Sequence, residues 1–161
     1  MEKGDLMQIQ KTFAALLLSL CAVFPLGAAS VSFLIIETGM SPEIPINQYS
    51  ILWEDSLMDV FFESGHIVSN APLMRLARKP ADGFPDEAEG NFNEAKNGGM
   101  EYFFVAVMNH PENNVSMRLF NTESRKMIDE QGYTSGISVN MREERENIKN
   151  AIRAMAAHIM E

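Results

Sequence analysis

The 161-residue chain sets 13 Lys and Arg against 22 Asp and Glu, a formal net charge of −9, and 46% of its residues are apolar. That acid excess argues against a phosphate-binding face, whose affinity is supplied largely by Lys and Arg. The single cysteine excludes an intrachain disulfide and any zinc site built from several thiolates.

In chain order, Lys11 precedes an apolar run from Phe13 to Phe24, which is followed by Pro25 and the small residues Gly27, Ala28 and Ala29. Basic residue, apolar core, helix breaker and small residues form the order of a secretory signal peptide. Gly27 and Ala29 fit the two small-residue positions ahead of the cut, which places scission between Ala29 and Ser30. Residues 1–29 are then a cleaved leader, and residues 30–161 form one domain of 132 residues, enough for one core but not for two. The apolar run is shorter than the roughly 20 residues a bilayer-spanning helix needs, and Pro25 interrupts it. Glu2 and Asp5 make the segment before it only weakly basic, and Met7 offers an alternative start. Leu20 stands where a lipoprotein signal carries a small residue, so Cys21 is read as unlipidated. It leaves with the leader, which also removes two basic and two acidic residues, so the mature chain keeps 11 against 20 and a net charge of −9.

The domain opens on Val31-Ser-Phe-Leu-Ile-Ile36, apolar on both faces as a buried central strand is. Gly39, Pro42 and Pro45 break it. Trp53, Leu57, Val60 and Phe61 share one face of a helix over residues 50–64, with Gly65 as its stop. His66 to Ser69 is short and extended, and Pro72 ends it. Residues 79–91 read as a loop, but within Asp86 to Asn97 the spacing of Ala88, Phe92 and Ala95 predicts a short helix closed by Gly98 and Gly99. Tyr102 to Met108 is the strongest strand. Asn109 to Asn114 is a turn, Val115 to Leu119 alternates like a half-exposed strand, Asn121 to Ser124 is a second turn, and Arg125 to Gln131 makes a last strand, so that these three strands form a meander. Asn140 as N-cap, with Glu143 completing a capping box and Glu144 and Glu146 adding charge at the positive end of the dipole, starts the final helix. Its apolar stripe is Ile148, Ile152, Met155 and Ile159, with Lys149 and Arg153 extending outward. The expected fold is a single α/β domain bordering on α+β, a mixed sheet packed by helices in the order β-α-β-(α)-β-β-β-α.

Candidate chemistry is sparse. His66, His110 and His158 do not stand in any H-x-H or H-E-x-x-H setting, and read as a strand, a turn and a helix residue. Ser64-Gly65-His66 lacks the G-x-S-x-G elbow of a hydrolase. Asp86-Glu-Ala-Glu89 lacks the residue order of a calcium loop and reads as a solvated face. Ten methionines remain after processing; Met100, Met108 and Met117 are the trio a soft-metal carrier would use, against the commoner role of core filling. Gly98-Gly99 lacks the Lys-Ser of a phosphate loop. These residues predict no catalytic, metal or cofactor-binding site.

A buried first strand, Val60-Phe-Phe-Glu-Ser-Gly-His-Ile-Val68, the helix-to-strand run from Glu94 to Val107, and Val115-Ser-Met-Arg-Leu-Phe-Asn-Thr-Glu-Ser124 together resemble a group of bacterial envelope domains. The group comprises the periplasmic domain of the curli secretion channel lipoprotein (CsgG), the amino-terminal domain of TolB, and LpoB-like outer-membrane activators of penicillin-binding proteins. The chain departs from that pattern at Ser124, where Gly is common, and at Cys21, which has no lipobox. The resemblance implies an exported, periplasmic or outer-envelope protein-interaction module without catalysis, working with envelope protein partners, free of cofactors and nucleic acid, and at most peripherally bound to membrane. The alternative is a periplasmic carrier of a small ligand or soft metal.

Overall fold

The computed structural model describes residues 28–40, 43–78, 80, 85–134 and 140–160. Residues 1–27, and with them most of the expected leader, lie outside the described residues.

The apolar run at the start of the domain becomes β1 (Ser30–Thr38), buried along nearly its whole length. It is followed by α1 (Gln48–Glu63), β2 (Ile67–Asn70), β3 (Met74–Leu76), α2 (Glu89–Asn97), β4 (Tyr102–Asn109), β5 (Asn114–Asn121), β6 (Met127–Thr134) and α3 (Met141–Met160). β1 pairs in parallel with β4 along one side, and with β2 and then β3 along the other. β4, β5 and β6 are antiparallel neighbours, so the sheet runs β2-β1-β4-β5-β6 with β3 continuing the β2 side. This is the mixed α/β sheet expected, and the meander lies where it was expected. Pro72, expected to end the strand, only interrupts it. A proline cannot donate to the ladder, yet Ala71 N–H still reaches Phe33 O at 2.8 Å and the chain resumes as β3 against the same neighbour.

The chain leaves β1 toward β2 and returns past it to β4. Crossovers of one hand must then place their helices on opposite faces. Accordingly α1 and α3 cover Phe33, Ile35, Phe104, Ala106, Met117 and Leu119, whereas α2 covers Leu34, Ile36, Phe103, Val105 and Phe120 from the other side. The expected faces hold: Trp53, Leu57, Val60 and Phe61 of α1, Phe92 and Ala95 of α2, and Ile148, Ile152, Met155 and Ile159 of α3 are buried.

Local signals end the helices as the glycines suggest. Gly65 has φ +80°, with His66 N–H on Phe61 O and Gly65 N–H on Phe62 O. Gly99 has φ +77°, with Met100 N–H on Ala95 O and Gly99 N–H on Lys96 O. Both are Schellman closures, which need a left-handed residue after the last turn. Asn140 Oδ1 accepts from Arg142 N–H and so caps α3.

Three expectations are corrected. Lys149 does not extend outward; it is 7% exposed, with Nζ 2.8 Å from Asp59 and 3.2 Å from Glu63. Arg145 and Arg153 add further pairs to Asp55, Asp59 and Glu63. α1 and α3 lie side by side on the sheet, so positions flanking the apolar stripe of one helix face the other helix rather than water. Hydrogen bonds to Asp59 and Glu63 raise the Lys149 pKa against the opposing effect of burial. β5, expected to be half exposed, is largely buried, and Arg118 is held within it by Glu130 Oε1 at 2.6 Å. Glu144 is more than a dipole charge: it is buried, and its Oε1 accepts the hydroxyls of Tyr49 at 3.0 Å and Tyr133 at 3.1 Å, joining α1, β6 and α3. Burial first, and then the Glu144 carboxylate, push the Tyr133 pKa well above its usual range.

Gly39 and Gly65 separate conformational strain from crowding. Both have positive φ, but a Cβ on Gly39 would meet Pro111 Cγ at 2.8 Å, whereas nothing lies within 4 Å of one on Gly65. Gly65→Ala is expected to cost about 1 kcal/mol and Gly39→Ala about 2–4 kcal/mol in urea unfolding. Equal losses would contradict the close approach of the β1 and β4 ends.

Candidate functional site

In open α/β sheets ligands bind outside the carboxyl ends of the strands, where strand order reverses. Here that point lies between the ends of β1 and β4, and polar side chains converge on it. Glu37, the penultimate residue of β1, is 1% exposed. Its Oε1 accepts from the Ser50 hydroxyl at 2.5 Å and from Asn47 N–H at 3.3 Å, and its Oε2 accepts from Arg75 Nε at 2.8 Å. Arg75 is on β3 and also donates through Nη1 to Ile44 O at 2.5 Å. His110, in the turn after β4, brings Nε2 to 3.5 Å from Ser50 Oγ and 3.6 Å from Glu37 Oε1. Burial alone would raise the Glu37 pKa, but hydrogen bonds from Ser50, Arg75 and Asn47 outweigh it and hold the carboxyl below its ordinary value.

The direction of these bonds decides what the cluster can do. Asn47 caps α1: its Oδ1 accepts from Tyr49 N–H at 2.9 Å. Its amide therefore turns Nδ2 toward His110 Nδ1, 3.4 Å away. A neutral His110 accepts there and carries its proton on Nε2, facing Ser50. Ser50 in turn gives its own proton to Glu37. A nucleophilic serine needs the opposite wiring, with its hydroxyl donating to a histidine that a carboxylate orients. Ser50 is also fully buried. What the cluster does is fasten the start of α1, β3 and the turn after β4 to the end of β1.

A second candidate lies along the β2 side of the domain. Ile51, Met58 and Phe62 point outward from α1 at 46%, 36% and 75% exposure, and Ile67 at the start of β2 is 60% exposed. Asn70 of β2 donates to Glu54 of α1 at 2.6 Å, tying the helix to the strand. Among the described elements, β2 pairs only with β1. The result is an open strand edge beside an apolar helix row, in a position where a protein can add to a sheet.

The residues singled out in the sequence fare as follows. Ala29 is buried, and its carbonyl accepts from Ile67 N–H at 3.0 Å; Ser30 begins β1. His110 joins the Glu37 cluster. His66 lies just ahead of β2, with both ring nitrogens buried and without a hydrogen-bond partner among the described residues. The His158 side chain lies outside the described residues. Met108 and Met117 are in the core on the α1 side, while Met100 packs on the α2 side, so the three sulfurs do not converge. Ser64 Oγ donates to Val60 O at 2.8 Å, a helix-end bond. Asp86–Ala88 forms a 3-10 turn leading into α2, which Glu89 begins. Sequence spacing missed the Glu37 cluster because Ser50 and Arg75 reach Glu37 from 13 and 38 residues away, and His110 lies a further 60 residues beyond Ser50. The available signal was an acidic residue closing a strand that is otherwise apolar.

No protein-family model matches the chain, and no curated protein matches it. Among solved structures, a subunit of the PelC dodecamer from Paraburkholderia phytofirmans is similar at 13% identity and TM-score 0.52, over 80% of this chain and 87% of that one. TolB from Acinetobacter baumannii is similar at 13% identity and TM-score 0.44, over 83% of this chain but 29% of TolB. The LpoB C-terminal domain from Escherichia coli is similar at 11% identity and TM-score 0.40, over 69% and 85%. The PelC likeness is one of fold. TolB and LpoB were named in the sequence resemblance.

The Glu37 cluster makes a pH-dependent contribution to stability. A folded-state pKa below the ordinary value of 4.5 stabilises the domain above that pH, and the contribution is lost as pH falls through the folded-state value. Glu37→Gln is expected to cost about 2–4 kcal/mol at pH 7 and to flatten the fall of the urea midpoint below pH 4.5. An unchanged acid limb in the variant would remove Glu37 from this role.

Proposed function

We propose that this chain is an exported, non-catalytic protein-interaction module of the bacterial cell envelope, an accessory part of a larger assembly, and that its first partner is another copy of itself. The observation that carries this reading is the open β2 edge flanked by Ile51, Met58, Phe62 and Ile67. Large apolar side chains gathered beside unpaired backbone groups mark an interaction surface. β6, at the far end of the sheet, is the complementary surface: it pairs only with β5 among the described elements and exposes Met127 and Ile128. Contact between unlike edges is head-to-tail, and it closes into a ring when the rotation between copies allows. Support comes from the leader-like amino terminus, from the envelope resemblance, and from a fold shared with the subunit of a dodecamer.

Sedimentation velocity of the exported protein at micromolar concentration tests this. The wild type is expected to sediment as an oligomer. Phe62→Glu with Ile67→Lys is expected to give a folded monomer, with affinity weakened by about 30-fold or more, because both sites are exposed and tolerate charge in the free subunit. Ile128→Lys on β6 should act likewise. Mixing the two variants should restore a dimer, since each retains one intact edge. A monomeric wild type would rule out self-assembly.

A further inference from the structure

Scission between Ala29 and Ser30 would release an α-amino group at the first residue of β1, and the fold already holds a receptor for it. Ser30 N lies 3.0 Å from Glu101 Oε2. The Ser30 hydroxyl donates to Gly99 O at 3.3 Å and accepts from Glu101 N–H at 3.1 Å, while Ser30 O accepts from the same N–H at 3.0 Å. In the uncut chain, Ser30 N is an amide with one hydrogen and no charge. After the cut it is an ammonium with three donors, and its contact with Glu101 becomes an ion pair. The charged side chain in contact with it is Glu101, which also lines a surface depression together with Lys96 and Glu123. The Glu101 carboxylate favours a cation there.

The neighbouring residue fixes when the cut can happen. Ala29 is 8% exposed and its carbonyl is held by Ile67 N–H. A protease needs its target extended and free, so a bond engaged in the sheet is cut only after local opening.

We propose that the Ala29–Ser30 bond is cut before the domain folds and that the Ser30 ammonium is then seated on Glu101, so that processing adds an ion pair the precursor lacks. This rests on the signal-peptide reading of residues 1–29, and two separate measurements keep the two claims apart. The intact mass of the full chain exported from a bacterial host tests the leader: a start at Ser30 is expected, and a start at Ala28, or no cleavage, would overturn both claims. The seat is tested by Glu101→Gln in two forms, the exported protein and one made in the cytosol that begins Met-Ala28-Ala29. At pH 7 the substitution should lower the melting temperature of the Ser30 form by roughly 2 °C more than that of the extended form. An amine whose pKa is raised by folding stabilises the protein below its unfolded value of about 8, and the effect disappears as pH rises through the folded value. The difference between the two forms should therefore vanish by about pH 10. Equal shifts in both forms, or a difference that persists at high pH, would overturn the seat while leaving the leader intact.

Discussion

Burial of β1 on both faces and both edges is the constraint from which the rest of the domain follows. A strand with Phe33 and Ile35 on one side and Leu34 and Ile36 on the other needs apolar cover above and below. It must also find parallel partners on its two edges, since each neighbour is reached through a helical crossover. α1 serves one face on the way to β2, and α2 serves the other on the way to β4. Once β4 is beside β1, the meander to β6 needs only turns, and α3 fills the space left beside α1. The polar residue closing the strand, Glu37, is then surrounded by the ends of all these connections, which explains why a carboxylate at this place takes hydrogen bonds from α1 and β3 at once.

Most of the architecture was legible because it rests on short-range patterns: the apolar runs of β1 and β4, the faces of α1, α2 and α3, and the glycines that close two helices. What was not legible depends on which elements meet. Lys149 looked solvated because a helix wheel shows one neighbour, the sheet, and hides the second helix that brings Asp59 and Glu63 to it. Glu144 looked like a dipole charge because the tyrosines that bury it belong to α1 and β6. β3 was missed because Pro72 is a real local break that pairing with a long central strand overrides.

The same distinction holds for function. The histidines were judged by their spacing to one another, whereas His110 meets a carboxylate and a serine from other elements. Once assembled, that group has the constituents of a hydrolytic centre but hydrogen bonds running in a structural direction, with the serine giving its proton to the acid. The interior is therefore occupied with holding the fold together. Among the described residues, large exposed apolar side chains lie instead on the outer side of α1 and at the starts of β2 and β6.

Val31 of β1 is paired with Tyr102 of β4, 71 residues later in the chain. Contacts that far apart carry a large loop-closure cost and form slowly. The central strand has no β4 to pair with until the chain has been made through Asn109. The topology that makes the finished sheet stable thus also delays its formation.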